Sequence, residues 1–319
     1  MSGASGRWLR LAVAIALLLY LLSISNPAEI GRAFAAARPW PILVAVLLTL
    51  ADRALMAHRW LLLLAHVPAE GRPPLGAVMR IFFVSTFLGT FLPASVGGDL
   101  VRAYALSRHR VPLSTSTASV VMDRALGVLS ILLLGAAAVF AAPDLAPAGV
   151  LEILVLGCAG CAALSLVIYN AGAADAAAAL VGRLPWEAGR RMAARLLEAV
   201  RAYRHQHGAV TRVLLSSIAV QGLRVLQAFC LGRGLGLDVP MQAYFVTIPV
   251  ILLIMLLPVT VNGLGTSQAA FIWCFGSLGV PRAEAFALSV LFLALGVLGN
   301  LPGGLLYATG GLSRPRPTT

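Results

Sequence analysis

The sequence predicts an all-α, polytopic integral membrane protein with about six spanning helices and two re-entrant helical hairpins in inverted repeat. Three observations predict it. Of 319 residues, 60% are hydrophobic and 11% are charged, whereas a soluble domain carries about 25% charged residues. The apolar residues gather in runs near the ~20 residues that a helix needs to cross the hydrocarbon. One broken motif, "LPASVGG" at 92–98, returns as "LPVTVNG" at 257–263. These runs consume nearly the whole chain, which leaves no room for a soluble catalytic domain of roughly 100 residues or more.

In chain order, Arg7 and Arg10 stand at the start of the apolar run 9–25. A signal peptide has the same outline, but no small-x-small cleavage site follows directly, so this run is assigned as the first spanning helix. Further spans are predicted at roughly 39–64, 114–141, 149–169, 210–232 and 283–309. The apolar regions 75–106 and 241–279 do not read as single spans. Each breaks midway at Leu-Pro followed by small residues, which predicts two half-helices that meet inside the membrane. The segment 186–206 places Met192, Leu196, Ala199 and Tyr203 at three- and four-residue steps with arginines between them. This predicts a cytoplasmic interfacial helix held by anionic lipid. Cys158, Cys161, Cys230 and Cys274 all lie in apolar runs, so no disulfide framework is expected; the C-x-x-C pair reads as small residues on a packed helix face.

The net charge is +12, and every basic residue is arginine. In a membrane protein this excess does not point to nucleic acid; it fits loops that face an anionic leaflet. With the N-terminus in the cytoplasm, Arg72, Arg80, Arg102, Arg108 and Arg110, then Arg183, Arg190, Arg191, Arg195, Arg201 and Arg204, then Arg314 and Arg316 all fall on the inner side. The asymmetry holds only if each hairpin enters and leaves on one face. Both termini are therefore expected in the cytoplasm. The Ala/Arg/Gly bias points to a GC-rich bacterial genome.

The repeat extends beyond the broken motif. "VP" at 111–112 matches 280–281, "ALGVL" at 125–129 matches 294–298, and Gly135 matches Gly304. The repeat halves are roughly 75–141 and 241–309 within a single domain, 1–319. In the expected topology the first hairpin opens to the cytoplasm and the second to the outside. Inverted repeats with broken helices near the midplane are a transporter signature. Irregular backbone at membrane depth needs protein or a water-filled cavity to satisfy it. Pro93 and Pro258 end one half-helix in each copy, Ser95 matches Thr260, and Gly97 and Gly98 permit a sharp return with close backbone approach. Asp99 stands where the next half-helix starts. Asn262, Gly263 and Gly265 occupy the corresponding turn. Two helix N-termini aimed at the membrane centre would attract an anion, and a lipid phosphate is the obvious one.

Ionisable residues inside a membrane are functional hypotheses. Here they are Asp52, Arg53, Arg59, Asp99, Arg102, Asp123, Arg124 and Arg224. Arg59, near the inner end of its helix, is expected to snorkel. Arg224 is flanked by Gln221 and Gln227 and needs a partner: Asp99, Asp123 or a substrate phosphate, whose geometry suits the guanidinium fork. No Walker loop, metal-ligand cluster or nucleophile elbow is present in the sequence, so no cofactor and no catalysis are expected.

"FLPASVGGDLVRAYAL" at 91–106, "ASVVMDRALGVLSILLLG" at 118–135, "LPVTVNGLGTSQAAF" at 257–271 and "GVPRAEAFALSVL" at 279–291 resemble the lysylphosphatidylglycerol synthase transmembrane-region family, also called flippase-like domain proteins. The resemblance implies a bacterial inner-membrane protein with re-entrant helices that moves or handles lipids. Its partners would be anionic or aminoacylated phospholipids, polyprenyl-phosphate lipids or hopanoid lipids. The cytosolic aminoacyl-transferase domain of the synthases has no counterpart here, so no lysyl-lipid synthesis is expected. Relatives often carry a Glu shortly after the Gly-x-Gly, where this chain has Thr266, Ser267 and Gln268. The expected function is lipid translocation, with Pro93, Ser95, Gly97, Gly98, Asp99, Arg102, Asp123, Arg124, Arg224, Pro258, Thr260, Asn262, Gly263 and Gly265 as the binding and translocation residues. The alternatives are a non-transporting partner of a lipid-modifying or glycosyl-lipid enzyme and a secondary transporter of a small solute.

Overall fold

A computed structural model describes residues 20, 27–64, 73–91, 97–109, 111–183, 187–257, 260 and 263–309. The helix expected at 9–25 and the tip residues Pro93, Ser95, Pro258 and Asn262 lie outside the described residues. What is described is helical. Twelve α-helices run α1 Pro27–Ala35, α2 Pro39–Leu63, α3 Leu75–Phe91, α4 Gly97–Ser107, α5 Leu113–Ala141, α6 Val150–Tyr169, α7 Ala171–Gly182, α8 Glu187–Arg201, α9 His207–Gly234, α10 Met241–Leu256, α11 Thr266–Gly276 and α12 Arg282–Ala308. Among the described residues, α2, α5, α6, α9 and α12 are long and apolar enough to cross a membrane.

Proline sets the start of three of these spans. Pro39 opens α2, where a missing N–H costs nothing and φ is already helical. Pro112 and Pro281 precede α5 and α12 with almost the same backbone angles, φ −54°, ψ 140° and φ −56°, ψ 144°. They are the two prolines that the internal alignment pairs.

The interrupted regions fold as short helix pairs. At ~1.5 Å per residue, the 11 residues of α4 and the 11 of α11 each reach about 17 Å, far short of the ~30 Å hydrocarbon. Helix α4 runs back along α3. A β-carbon on Gly98 would stand 2.8 Å from the Ser85 carbonyl oxygen and 3.0 Å from Gly89 Cα. Farther along, the Arg102 guanidinium lies 4.8 Å from the Phe82 ring centre, and Ala105 and Leu106 pack with Val78, Ile81 and Phe82. The close approach expected at the double glycine is therefore made by the chain's own α3 backbone. In the second pair, Phe275 of α11 meets Tyr244 of α10 with ring centres 5.1 Å apart.

The long helices lock the two pairs together. Helix α12 packs on α3, and α5 packs on α10. A side chain at Gly303 would run into the backbone carbonyl of Phe83, and one at Gly304 would meet the Phe87 ring at 2.8 Å. At Gly135 it would meet Pro249 of α10 at 3.1 Å. Helix α2 packs against α9 through the centre of the molecule.

The segment 170–209 is more ordered than a loop. Its alanine-rich first half, "AGAADAAAALVG", forms α7, because alanine is the strongest helix former and the Asn170 side chain caps the helix by accepting from the Ala173 N–H at 3.0 Å. Helix α8 follows, with Arg190, Arg191 and Arg195 exposed. Tyr203 is buried and donates to the Leu63 carbonyl at 3.2 Å. Burial and the Asp123 carboxylate push its phenol well above the ordinary pKa, so it remains a neutral donor.

Candidate functional site

A cavity of about 300 Å³ opens between α2, α3, α4, α5, α9, α10 and α12. Its apolar wall is Met255, Leu256, Phe292 and their neighbours. Its polar wall carries Thr49, Asp52 and Arg53 from α2, Ser85, Thr86 and Thr90 from α3, Asp99 and Arg102 from α4, Arg124 from α5, Arg224 and Gln227 from α9, and Asn300 from α12. Six of the seven helices place a polar residue on the turn that faces the centre, and α10 supplies apolar wall through Leu252, Met255 and Leu256. On α2, Thr49, Asp52, Arg53 and Met56 recur at three- and four-residue steps and form one stripe.

Three aspartates organise the charges around the cavity. Asp123 is 3% exposed and lies between two buried arginines: Arg59 Nη2 at 2.7 Å from Oδ1 and Arg102 Nη1 at 3.2 Å from Oδ2. Arg59 also donates to Ser217 Oγ at 3.0 Å. The Arg102 guanidinium is flanked by the Trp60 ring at 5.3 Å and the Phe82 ring at 4.8 Å, a cation–π setting that suits its flat, weakly hydrated plane. Asp99 takes two hydrogen bonds from Arg124, from Nε at 2.7 Å and Nη2 at 3.0 Å. That carboxylate sits in the first turn of α4, where the helix dipole favours a negative charge. Asp52 joins Arg53 at 3.1 Å and Arg224 at 3.2 Å.

These groups do not cancel. Arg53, Arg59, Arg102, Arg124 and Arg224 face Asp52, Asp99 and Asp123, five cations against three anions, an excess of two positive charges. The four arginines and two aspartates on the cavity wall itself leave the same excess. In a low-dielectric setting an unmatched charge is expensive, so a cavity with this lining favours an anionic guest.

Several residues singled out from the sequence meet here: Gly98, Asp99, Arg102, Arg124 and Arg224 line the cavity, and Asp123 stands behind Arg102. Others do not line it. Gly97 is absent from the wall, and so are Thr260, Gly263 and Gly265. The start of α11 is capped from within: the Gly265 N–H donates to Gln268 Oε1 at 2.7 Å, Ser267 Oγ donates to the same oxygen at 3.0 Å, and the Thr260 and Thr266 hydroxyls share a hydrogen bond at 3.0 Å. Gln268 is thus a capping acceptor. Two expectations about partners change. Arg59 does not snorkel; it is 4% exposed and paired with Asp123. Arg224 pairs with Asp52, not with Asp99 or Asp123. The wall residues Thr49, Thr86, Thr90, Gln227 and Asn300 went unselected in the sequence, although polar side chains on otherwise apolar helices were a visible signal.

A comparison with curated proteins gives no match. The family of the lysylphosphatidylglycerol synthase TM region matches residues 7–303, nearly the whole chain, and over that length the motifs quoted from both hairpins fall inside the match. The chain is an all-helical membrane protein that belongs to the lysylphosphatidylglycerol synthase TM region family.

Proposed function

We propose that this protein translocates an anionic lipid, with the headgroup phosphate bound in the cavity between α2, α3, α4, α5, α9, α10 and α12. The observation that carries the reading is the excess of two positive charges on a wall built from seven apolar helices. Arginine forks recognise phosphate by paired hydrogen bonds, and the cavity's apolar side suits the start of the acyl region. Arg124, whose side chain is 47% exposed, and Arg224, at 21%, are the reachable cations. Asp99 and Asp52 hold them in position until phosphate competes for them. Family membership supports a role with membrane lipids in general.

The halves 75–141 and 241–309 act as repeat units of opposite orientation in this reading. The matched backbone angles at Pro112 and Pro281 support it. So does the reciprocal packing, in which the long helix of each half sets its glycine on the short helix pair of the other. The setting is a bacterial inner membrane with both termini in the cytoplasm and α8 on the inner surface, and the protein performs no bond-making chemistry.

The test is leaflet exchange. Purified protein is reconstituted in vesicles with fluorescent phosphatidylglycerol or phosphatidylcholine, and dithionite quenching reports the fraction that changes leaflet. Exchange of the anionic lipid should exceed that of the zwitterionic one, and Arg224→Gln should lower it about tenfold or more, the loss expected when a charge-assisted contact to a buried phosphate is removed. Protein-independent exchange for every anionic lipid tried would overturn the reading in favour of a lipid-binding partner without transport.

A further inference from the structure

The charge excess at the cavity has a size as well as a sign. Among the described residues its wall sets Arg53, Arg102, Arg124 and Arg224 against Asp52 and Asp99. Behind the wall, Asp123 serves both Arg59 and Arg102, so counting those three groups leaves the excess at two. The segments 92–96 and 258–262 hold no ionisable residue and do not alter this balance. No histidine is among the described lining residues. Three of the arginines are open to a guest: Arg53, Arg224 and Arg124 line the cavity and keep 13%, 21% and 47% of their side chains exposed. A guanidinium has five N–H donors. Arg124 spends Nε and Nη2 on Asp99, and its Nη1 has no partner among the described residues. Arg53 Nη1 and Arg224 Nη2 both turn to Met56 Sδ, at 3.4 and 3.2 Å. Met56 is itself on the wall, and a thioether is a weak acceptor, so an anionic oxygen in the cavity outcompetes it for both arginines.

Resting on the anionic-lipid reading, we infer that the cavity selects a doubly charged phosphate monoester over a singly charged phosphodiester. A diester leaves one of the two surplus positive charges unanswered in a low-dielectric setting, which is costly. A monoester loses its second proton near pH ~6, so it approaches two negative charges above neutrality and presents three acceptor oxygens. Arg124 binds it through Nη1, and Arg53 and Arg224 bind it through the N–H groups now turned to Met56. A monoester also lacks a second ester group. That suits a volume of about 300 Å³, at the small end of ligand sites.

The experiment offers the full chain in phosphatidylcholine nanodiscs an equimolar mixture of phosphatidic acid, phosphatidylmethanol and phosphatidylglycerol with identical acyl chains at pH ~8, and reads bound lipid by native mass spectrometry. Phosphatidylmethanol is a singly charged diester close to phosphatidic acid in size, so it separates charge from bulk. Phosphatidic acid should be retained about tenfold or more over both diesters, the gain expected of one added charge-assisted contact. At pH ~5 that lead should shrink about tenfold, because only about a tenth of the free monoester is then doubly charged. Arg124→Gln removes one unit of the excess and should bring phosphatidic acid close to phosphatidylmethanol at the higher pH. If this variant fails to fold, the wild-type pH profile decides. Equal or greater retention of either diester at the higher pH, a lead unchanged at the lower one, or a folded Arg124→Gln that keeps the full lead overturns the selection of the dianion and leaves the anionic-lipid reading standing. Retention of no anionic lipid overturns both. Free glycerol 3-phosphate that displaces phosphatidic acid at equal concentration would keep the dianion chemistry but assign it to a solute, overturning the lipid reading.

Discussion

Asp123, like Asp52, holds two arginines, but its partners Arg59 and Arg102 are the more deeply buried pair. Asp123→Asn would leave two buried guanidinium groups without the carboxylate that both of them contact. Breaking a buried pair in this way costs about 3–5 kcal/mol, so the variant should show a much lower melting temperature in detergent, or no folded fraction, by fluorescence-detected size exclusion. Arg102→Lys is a finer probe. The charge stays, but a point charge on a flexible stem replaces the plane between Trp60 and Phe82 and loses about 1–2 kcal/mol of cation–π and hydrogen-bond energy. Its melting temperature should fall measurably, by less than that of Asp123→Asn. Arg124 is different in kind. It is half exposed, so its pair with Asp99 contributes little to folding. Arg124→Gln should leave the melting temperature near wild type while lowering leaflet exchange. Equal effects on folding at Arg124 and Asp123 would erase the distinction between a site residue and a structural one.

At the scale of elements, the decisive contacts are those where helices touch backbone to backbone. Gly303 sits so close to Phe83 that any β-carbon must push α12 away from α3, and interiors packed at this density do not absorb such a shift cheaply. Gly303→Ala should therefore cost several kcal/mol; its thermal unfolding checks this. Gly160 on α6 is the control. Nothing stands within 4 Å of a β-carbon there, so Gly160→Ala should be neutral or gain up to about 1 kcal/mol from helix propensity. Most long helices were legible in the sequence to within a few residues, because mostly apolar stretches of 25 or 29 residues bounded by Pro39 or Pro112 admit no other assignment. Helix α7 was not, because its alanines carry no hydrophobic period, and its cap depends on one asparagine whose role appears only in three dimensions.

For the whole molecule, what the sequence could not supply was pairing. Asp52 and Arg224 lie 172 positions apart and meet only because α2 packs along α9; in the sequence Asp52 has only its neighbour Arg53 to pair with, and no carboxylate lies on the helix of Arg224. Asn300 and Thr90, 210 positions apart, meet because α12 crosses α3. A single sequence lists these residues and leaves their partners open. The orientation of the halves, by contrast, rests on arginine counting and can be tested directly. Arg108, in the turn after α4, and Ser277, in the turn after α11, are both exposed. If each hairpin returns to the face from which it came, and the two halves are inverted, these turns lie on opposite sides of the membrane. In a background with Cys158, Cys161, Cys230 and Cys274 replaced, Arg108→Cys should react with an impermeant maleimide only when the cytoplasmic face is opened. Ser277→Cys should react in intact cells. Labelling of both from one side would mean that one short pair crosses fully. Asp99 and Arg124 would then no longer meet the charges of α2 and α9 at mid-depth, and the shared anion cavity would lose its basis.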